Sequence, residues 1–372
     1  MPKPKKKTLP KDFEDLLQKC SPDEIRDVLK TRDVNAYHGY AKRTALTFNA
    51  LPDDVARWLV ENGADISARD QYGETPLHAR AGHWQGRVNI LLELGADVNS
   101  RDKQDNTPLH KAAAVGNVDT TRALIEHGAI IDATNKRGLT PLAYALQLCT
   151  NATISRTTRI AELLIAAQPR KPTGIVASLA RLLGRKQSHE EKMSQQMRDF
   201  VRRIGENFEF HRQGFDTESR SETSDALNRL YELFDVPPVP HRQMHDGVSR
   251  IVANAATWQE RHQQYWEILV PSSGAASTVQ GEVVRISGRI SREIDGNGGI
   301  NWDSEFKAMA DCLLVHLGSG NALPDPLYKE AKNIISQVKR KYGDTFRLNE
   351  LAVTWIDMNP NPISLPAPSY SR

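Results

Sequence analysis

Gly73-Glu74-Thr75-Pro76-Leu77-His78-Ala79 decides how the first half of this chain is read, because it does not occur only once. It returns as Asp105-Asn106-Thr107-Pro108-Leu109-His110-Lys111-Ala112, then as Gly138-Leu139-Thr140-Pro141-Leu142-Ala143, and in decayed form as Arg43-Thr44-Ala45-Leu46. The threonines stand at 44, 75, 107 and 140, at intervals of 31, 32 and 33 residues. A second landmark keeps the same beat: Asn62-Gly63-Ala64-Asp65, Leu94-Gly95-Ala96-Asp97-Val98-Asn99, and His127-Gly128-Ala129-Ile130-Ile131-Asp132. Two motifs locked in one period mark a stack of like units, each burying its apolar side against the next.

Each piece of the motif has a mechanical reason. The threonine hydroxyl can cap a short helix, and proline in the first turn needs no amide partner. The leucine and alanines point inward and let neighbouring helix pairs approach closely. Gly63, Gly95 and Gly128 permit the left-handed turn that ends the second helix of a unit. The pattern resembles the ankyrin repeat. That resemblance implies a helix–turn–helix unit with a β-turn finger, and it implies that His78 and His110 bond across to the adjoining repeat rather than bind metal or catalyse.

The array extends in both directions from the clear repeats. Phe13, Leu16 and Leu17 begin one helix, Ile25 and Val28-Leu29 lie on a second, and Asp33-Val34-Asn35-Ala36 leads into a finger. The polar outer face of this degenerate unit suits an N-terminal cap. After Tyr144-Ala145-Leu146, an insertion around Cys149-Thr150-Asn151-Ala152-Thr153 precedes Ile160-Ala161-Glu162-Leu163-Leu164. It is either a partner-contacting loop or the place where the stack adapts to the second half of the chain. The reading is five units over residues 11–170, behind a basic disordered tail at 1–10.

The resemblance also implies where a partner binds: on the finger tips and the concave face of the inner helices. Here those positions include Tyr37, His38, Tyr40, Gln71, Tyr72, Lys103, Gln104, Lys136 and Arg137, with Trp84 at the end of an inner helix. Exposed tyrosines and a tryptophan beside cations are the usual makings of a binding hot spot. The competing reading is that these rings pack against neighbouring repeats or the C-terminal half.

After Gln168-Pro169-Arg170-Lys171-Pro172 the beat stops. Residues 171–190 read as a linker whose Ile175-Val176, Leu179, Leu182 and Leu183 make a short apolar stripe. It is either a helix docking on the end of the stack or an amphipathic membrane-surface helix. Residues 191–358 carry helical periodicity between Pro- and Gly-rich connections, with helices expected at 193–212, 224–234, 258–270, 275–294, 306–317, 327–342 and 348–358. Residues 359–372 form a Pro-rich tail without periodicity. The fold class is therefore all-α, an ankyrin solenoid followed by a helical C-terminal domain. This layout resembles bacterial ankyrin-repeat proteins with long helical extensions, a likeness that brings no activity with it.

Within the second half, Glu282, Arg285 and Arg289 share one face of a helix, opposite Val279, Val283, Ile286, Ile290 and Ile294. Gly281 and Gly288 cost that helix stability, so close packing against a neighbour is their reasonable motive. The charged face is either a recognition surface beside the loop Asp295-Gly296-Asn297-Gly298-Gly299-Ile300-Asn301-Trp302-Asp303, or a set of surface ion pairs worth little each. Three attractive motifs fail on spacing. The loop at Asp295 has Ile300 where a calcium loop needs glycine, and Glu305 falls one short of the closing ligand. His241 and His245 have no third ligand. Ser272-Ser273-Gly274 lacks the context of a nucleophile elbow and reads as a helix cap after Pro271.

Composition sets outer bounds. With 372 residues, 39% hydrophobic and 26% charged, the chain can bury more than one core. A net charge of +3 is too small to make it a nucleic-acid binder, although Lys3–Lys7 leave a weaker adaptor reading open. Nothing reaches membrane-spanning length, and Cys20, Cys149 and Cys312 show neither metal spacing nor an even count. The expectations are a cytoplasmic location, no cofactor and no metal, and a protein partner, with a monomer compatible with all of this. The leading functional reading is a non-enzymatic binding protein, regulatory or immunity-like, whose solenoid masks a partner. The alternative is an enzyme in the helical half, using Glu282, Arg285, Arg289, Asp295 and Asp303 with Asn301 and Trp302 nearby, which demands that these converge in a cleft.

Overall fold

A computed structural model of the chain describes residues 5–168, 189–368 and 370. The stripe at 175–183 and the rest of the expected linker up to residue 188 lie outside the described residues. The chain divides into two compact units, Met1–Phe208 with Thr217–Val239, and Glu209–Asp216 with Pro240–Arg372. The division differs from the boundary expected near residue 190, because the first helices after the linker pack with the repeats.

The first unit opens with β1 (Lys6–Thr8), inside the stretch expected to be a disordered tail. It pairs parallel with β2 (Arg32–His38), which pairs antiparallel with β3 (Arg43–Thr44), so the first finger is a three-stranded sheet. Helices α1 (Phe13–Lys19) and α2 (Pro22–Lys30) form the degenerate first pair, with Phe13, Leu17, Ile25 and Leu29 buried. Ser21 and Glu24 close a capping box at the start of α2, satisfying amides a helix end leaves open. A 3-10 turn (Ala45–Thr47) and α3 (Asp53–Glu61) make the second pair.

The clear repeats come next: α4 (Pro76–Ala81) with α5 (Asn89–Glu93), α6 (Pro108–Val115) with α7 (Val118–Glu126), and α8 (Pro141–Leu148) with α9 (Ile154–Ala167). Thr75, Thr107 and Thr140 each cap their helix through the side-chain oxygen, and proline occupies each first turn. His78 then joins repeats. Its Nδ1 accepts from Thr75 N at 3.2 Å, which leaves the proton on Nε2 to donate to Asn106 O of the next repeat at 2.9 Å. His110 does the same with Thr107 N at 3.1 Å and Leu139 O at 3.0 Å.

Two further helices close this unit, α10 (His189–His211, here to Phe208) and α11 (Thr217–Phe234). Thr158 of α9 donates to Ala226 O at 3.0 Å, and Arg229 Nε to Glu162 at 2.8 Å. Arg203 of α10 donates to Gln147 O at 2.8 Å, and Asn207 to Asn151 at 2.9 Å. The insertion around Asn151 is thus a seat for α10. Together α10 and α11 cover the last repeat, as a stacked array requires at its end.

The second unit holds α12 (Trp258–Leu269), α13 (Val279–Ser291), α14 (Ser304–Leu317), α15 (Asp325–Val338) and α16 (Thr345–Met358). Helix α13 runs through its middle, packed by α12, α14 and α16. It ends in a single π turn, Arg292–Gly296. Thr278, not Ser272 or Ser273, caps α13 by accepting from Gly281 N at 3.1 Å. The Pro-rich tail is tied down. Val279 N donates to Ile363 O at 2.7 Å, Gln280 Nε2 reaches Asn359 O and Asn361 O, and Thr278 bridges Ser364.

Candidate interaction surface and a C-terminal cavity

Finger positions are set by a carboxylate or amide that recurs on the repeat beat. Asp70 Oδ1 accepts from Tyr72 N at 2.8 Å and Glu74 N at 2.9 Å. Asp102 Oδ1 does so with Gln104 N and Asn106 N, and Asn135 Oδ1 with Arg137 N and Leu139 N. These side chains satisfy amides that the backbone carbonyls of the turn leave open. Adjacent fingers are then laced by backbone bonds: Gln71 N to Ala41 O at 2.9 Å, Lys103 N to Tyr72 O at 3.1 Å, and Lys136 N to Gln104 O at 2.9 Å. The sequence reading passed over Asp70, Asp102 and Asn135, although their spacing repeats the period of the threonines.

This lacing sets the finger tips side by side. Tyr40 is 83% exposed and Tyr72 54%, while Lys103, Gln104, Lys136 and Arg137 are all exposed. Tyr37 and Gln71 are half-buried, with Lys42 Nζ 5.9 Å from the Tyr37 ring centre. Trp84 is 56% exposed, stacked beside His83 and overlaid by Arg156 at 5.8 Å from its ring centre. The reading in which the rings are consumed by packing therefore does not describe Tyr40, Tyr72 or Trp84. Behind the tips runs an ionic layer. Lys111 Nζ lies 2.6 Å from Glu74 and 3.1 Å from Asp102, and Arg43 bridges Asp70 and Glu74. Burial works against the Lys111 charge, but the hydrogen bonds it donates to Glu74 and Asp102 outweigh it and raise its pKa. Near Tyr40 the finger and inner helices border a recess of about 410 Å³, reached by His38, Phe48, Ala79 and His83.

In the second unit, the charged stripe of α13 is not a surface. Glu282 is 0% exposed and Arg285 2%. Arg285 Nε and Nη2 donate to the two Glu282 oxygens at 2.8 and 2.6 Å, and Ala276 N adds a bond at 3.1 Å. Burial alone would raise the Glu282 pKa, but the bonds from Arg285, Tyr370 and Ala276 N hold it below the usual carboxylate range. Recognition face and surface ion pairs are both corrected by this burial, because helices pack around α13 on that side too.

The other expected residues scatter. Asp295 bonds Thr345 and Ser291, Trp302 is buried and stacks on Phe306 at 5.1 Å, and Asp303 caps α14 through Phe306 N. Only Arg285, Arg289 and Asn301 border a common space, an open cavity of about 700 Å³. The five candidates for catalysis thus do not converge on one cleft. His241 Nδ1 lies 3.2 Å from Glu209, whereas His245 Nδ1 takes Gly247 N at 3.0 Å. Among the described residues no group of three or more His, Cys, Asp or Glu is placed to hold a metal ion, and no helix is long and apolar enough to cross a membrane.

Residues 79–171 match the family of ankyrin repeats, in three copies. No curated protein is similar enough to the chain to count as a match. The family match takes in the caps at Thr107 and Thr140, the His110 bridge and the fingers at Asp102 and Asn135, while Thr75, His78 and the finger at Asp70 stand just before it. Residues 79–171 of the chain are ankyrin repeats, and a helical C-terminal extension follows the repeat array.

Proposed function

We propose that the laced finger row is a docking surface for a partner protein, with Tyr40, Tyr72 and Trp84 as anchors and Lys103, Lys136 and Arg137 as a cationic band. Ankyrin repeats are protein–protein interaction modules in general, and this surface is where such a role would fall here. The observation that carries the reading is the exposure of large rings at positions the fold does not need for its own packing. Tyrosine and tryptophan offer wide contact area with few torsions to freeze, so they gain more from docking than lysines do. The cationic band favours a partner whose contact face is acidic.

A photo-crosslinking amino acid placed in turn at positions 40, 72 and 84 of the full chain tests this in native lysate. All three should give an adduct with the same protein, and Tyr72→Ala with Trp84→Ala should abolish its capture. Adducts formed equally from position 300, an exposed isoleucine of the second unit, or capture that survives the double substitution, would overturn it.

A further inference from the structure

The 700 Å³ cavity of the second unit is within the size range of small-molecule sites, and its three walls differ in chemistry. One wall is the loop Ser272-Ser273-Gly274. Among the described residues the amides of these three residues donate to no protein acceptor, and Gly274 turns the chain with φ of +77°. Two hydroxyls and three amides therefore border the space as donors without competing protein bonds.

A second part of the lining is cationic. Arg289 on α13 and Arg292 on the following π turn are one helical turn apart, and both border the cavity. Arg292 is exposed and has no acidic partner among the described residues. The one carboxylate on the wall, Glu293, accepts from Asn301 N at 2.6 Å and Asn297 Nδ2 at 3.0 Å and offsets one of the two arginine charges. Arg285 at the floor is balanced by Glu282. The lining therefore keeps one net positive charge, carried by the exposed Arg292, together with the donors of the 272–274 loop, a set that suits an oxyanion with several acceptor oxygens.

The third wall is flat and aromatic. The Trp266 and Phe210 rings lie within 14° of parallel, their centres 6.5 Å apart, and both line the cavity. Arg242 fixes them. Its guanidinium sits 4.4 Å from the Phe210 ring centre and donates to the Trp266 and Val270 carbonyls, capping the C-terminus of α12. A ligand with an anionic end and a planar end would meet all three walls.

We propose that this cavity binds a phosphorylated planar-ring compound, the phosphate between Arg289, Arg292 and the 272–274 loop, the ring against Trp266 and Phe210. Adenosine monophosphate is the probe, titrated into the full chain by calorimetry, with adenosine and inorganic phosphate as separate arms. The expected result is saturable binding of the nucleotide, with each half of the molecule roughly tenfold weaker or worse. Arg292→Ala should weaken nucleotide binding roughly tenfold, and it is exposed enough to leave the fold intact, as circular dichroism would verify. Trp266→Leu should weaken it similarly, while Trp266→Phe retains most of it. No heat at about 1 mM nucleotide, binding indifferent to Arg292→Ala, or phosphate binding as tightly as the nucleotide would each overturn the proposal.

Discussion

The Tyr370 hydroxyl donates to Oε1 of Glu282 at 2.6 Å, joining residues 88 apart in the chain. Each Glu282 oxygen thereby receives two donors, one from Arg285 and one more from Tyr370 or Ala276 N. The buried pair is affordable only because every one of these bonds is made. Tyr370→Phe should destabilise the second unit by about 1–3 kcal/mol, the cost of removing one donor to a buried carboxylate. Glu282→Gln should cost about 3–5 kcal/mol, since it leaves the Arg285 charge uncompensated. Urea unfolding followed on the second unit measures both. Changes below about 0.5 kcal/mol in each would mean the tail is not docked there.

That contact also shows what the sequence could and could not announce. The repeats were legible because threonine, proline, histidine and glycine recur together, and each has a local job that reappears in the structure. Register in that period placed Tyr40 and Tyr72 at finger tips and Trp84 at a helix end, but it left packing and exposure equally open, and the fold leaves all three exposed. Helix α13 was legible as a helix, but periodicity says which residues share a face, not how many faces are covered. Glu282 and Arg285 were therefore assigned to solvent. The tail escaped notice because its partners lie far away in the chain, as in Val279 N to Ile363 O and Tyr370 to Glu282, and no local periodicity marks them. The cavity escaped for another reason: its walls come from Phe210, Ser272 and Arg289, which only the fold brings together.

Acid should weaken the repeat array over a defined window. Burial lowers the His110 pKa from 6.5 to about 4, against the raising effect of its bond to Leu139 O. His78 is shifted the same way, again chiefly by burial. A depressed histidine is neutral in the fold and binds its proton more readily when unfolded, so stability is full above pH 6.5 and falls as pH drops towards 4. For His110 alone the loss is of the order of 3 kcal/mol. His110→Ala, which copies Ala143 of the next repeat, should lower stability at pH 8 and flatten the slope between pH 6.5 and 4. Unfolding midpoints of both proteins across that range check this, and parallel slopes would contradict it.

Arg80 stands where the two later repeats have Ala112 and Ala145, yet it is 1% exposed. Its Nε donates to Leu46 O at 2.9 Å and Nη1 to Arg87 O at 3.4 Å, while Nη2 has no partner among the described residues. Burial pushes its pKa down to about 10, so at neutral pH it still carries a charge that the site disfavours. The segment 82–88 bends around it, and α5 begins only at Asn89. Arg80→Met, which keeps the length without the charge, should leave stability unchanged or raise it. Arg80→Ala should cost about 2–5 kcal/mol through the cavity it leaves. Thermal unfolding of the two variants separates these outcomes, and a greater loss in the methionine variant would show that the guanidinium bonds outweigh the burial of its charge.

At Gly288 the missing side chain lets α13 receive the Trp266 ring of α12. A Cβ built there would lie 2.6 Å from Cζ3 of Trp266, well inside contact distance. The indole cannot yield freely, because Gly288 lies under it, His262 stacks beside it at 6.4 Å, and Phe210 faces it at 6.5 Å. Gly288→Ala should gain helix propensity worth about 0.8–1.0 kcal/mol. It should lose more by overpacking, about 1–3 kcal/mol, because a displaced Trp266 strains its neighbours. Gly296→Ala makes a fair control, since its added methyl would meet nothing nearer than 3.9 Å. Denaturant unfolding should therefore show a net loss at 288 and little change at 296. A stabilised Gly288→Ala would mean that Trp266 swings aside at no cost, and the flat wall of the cavity would then be a movable one.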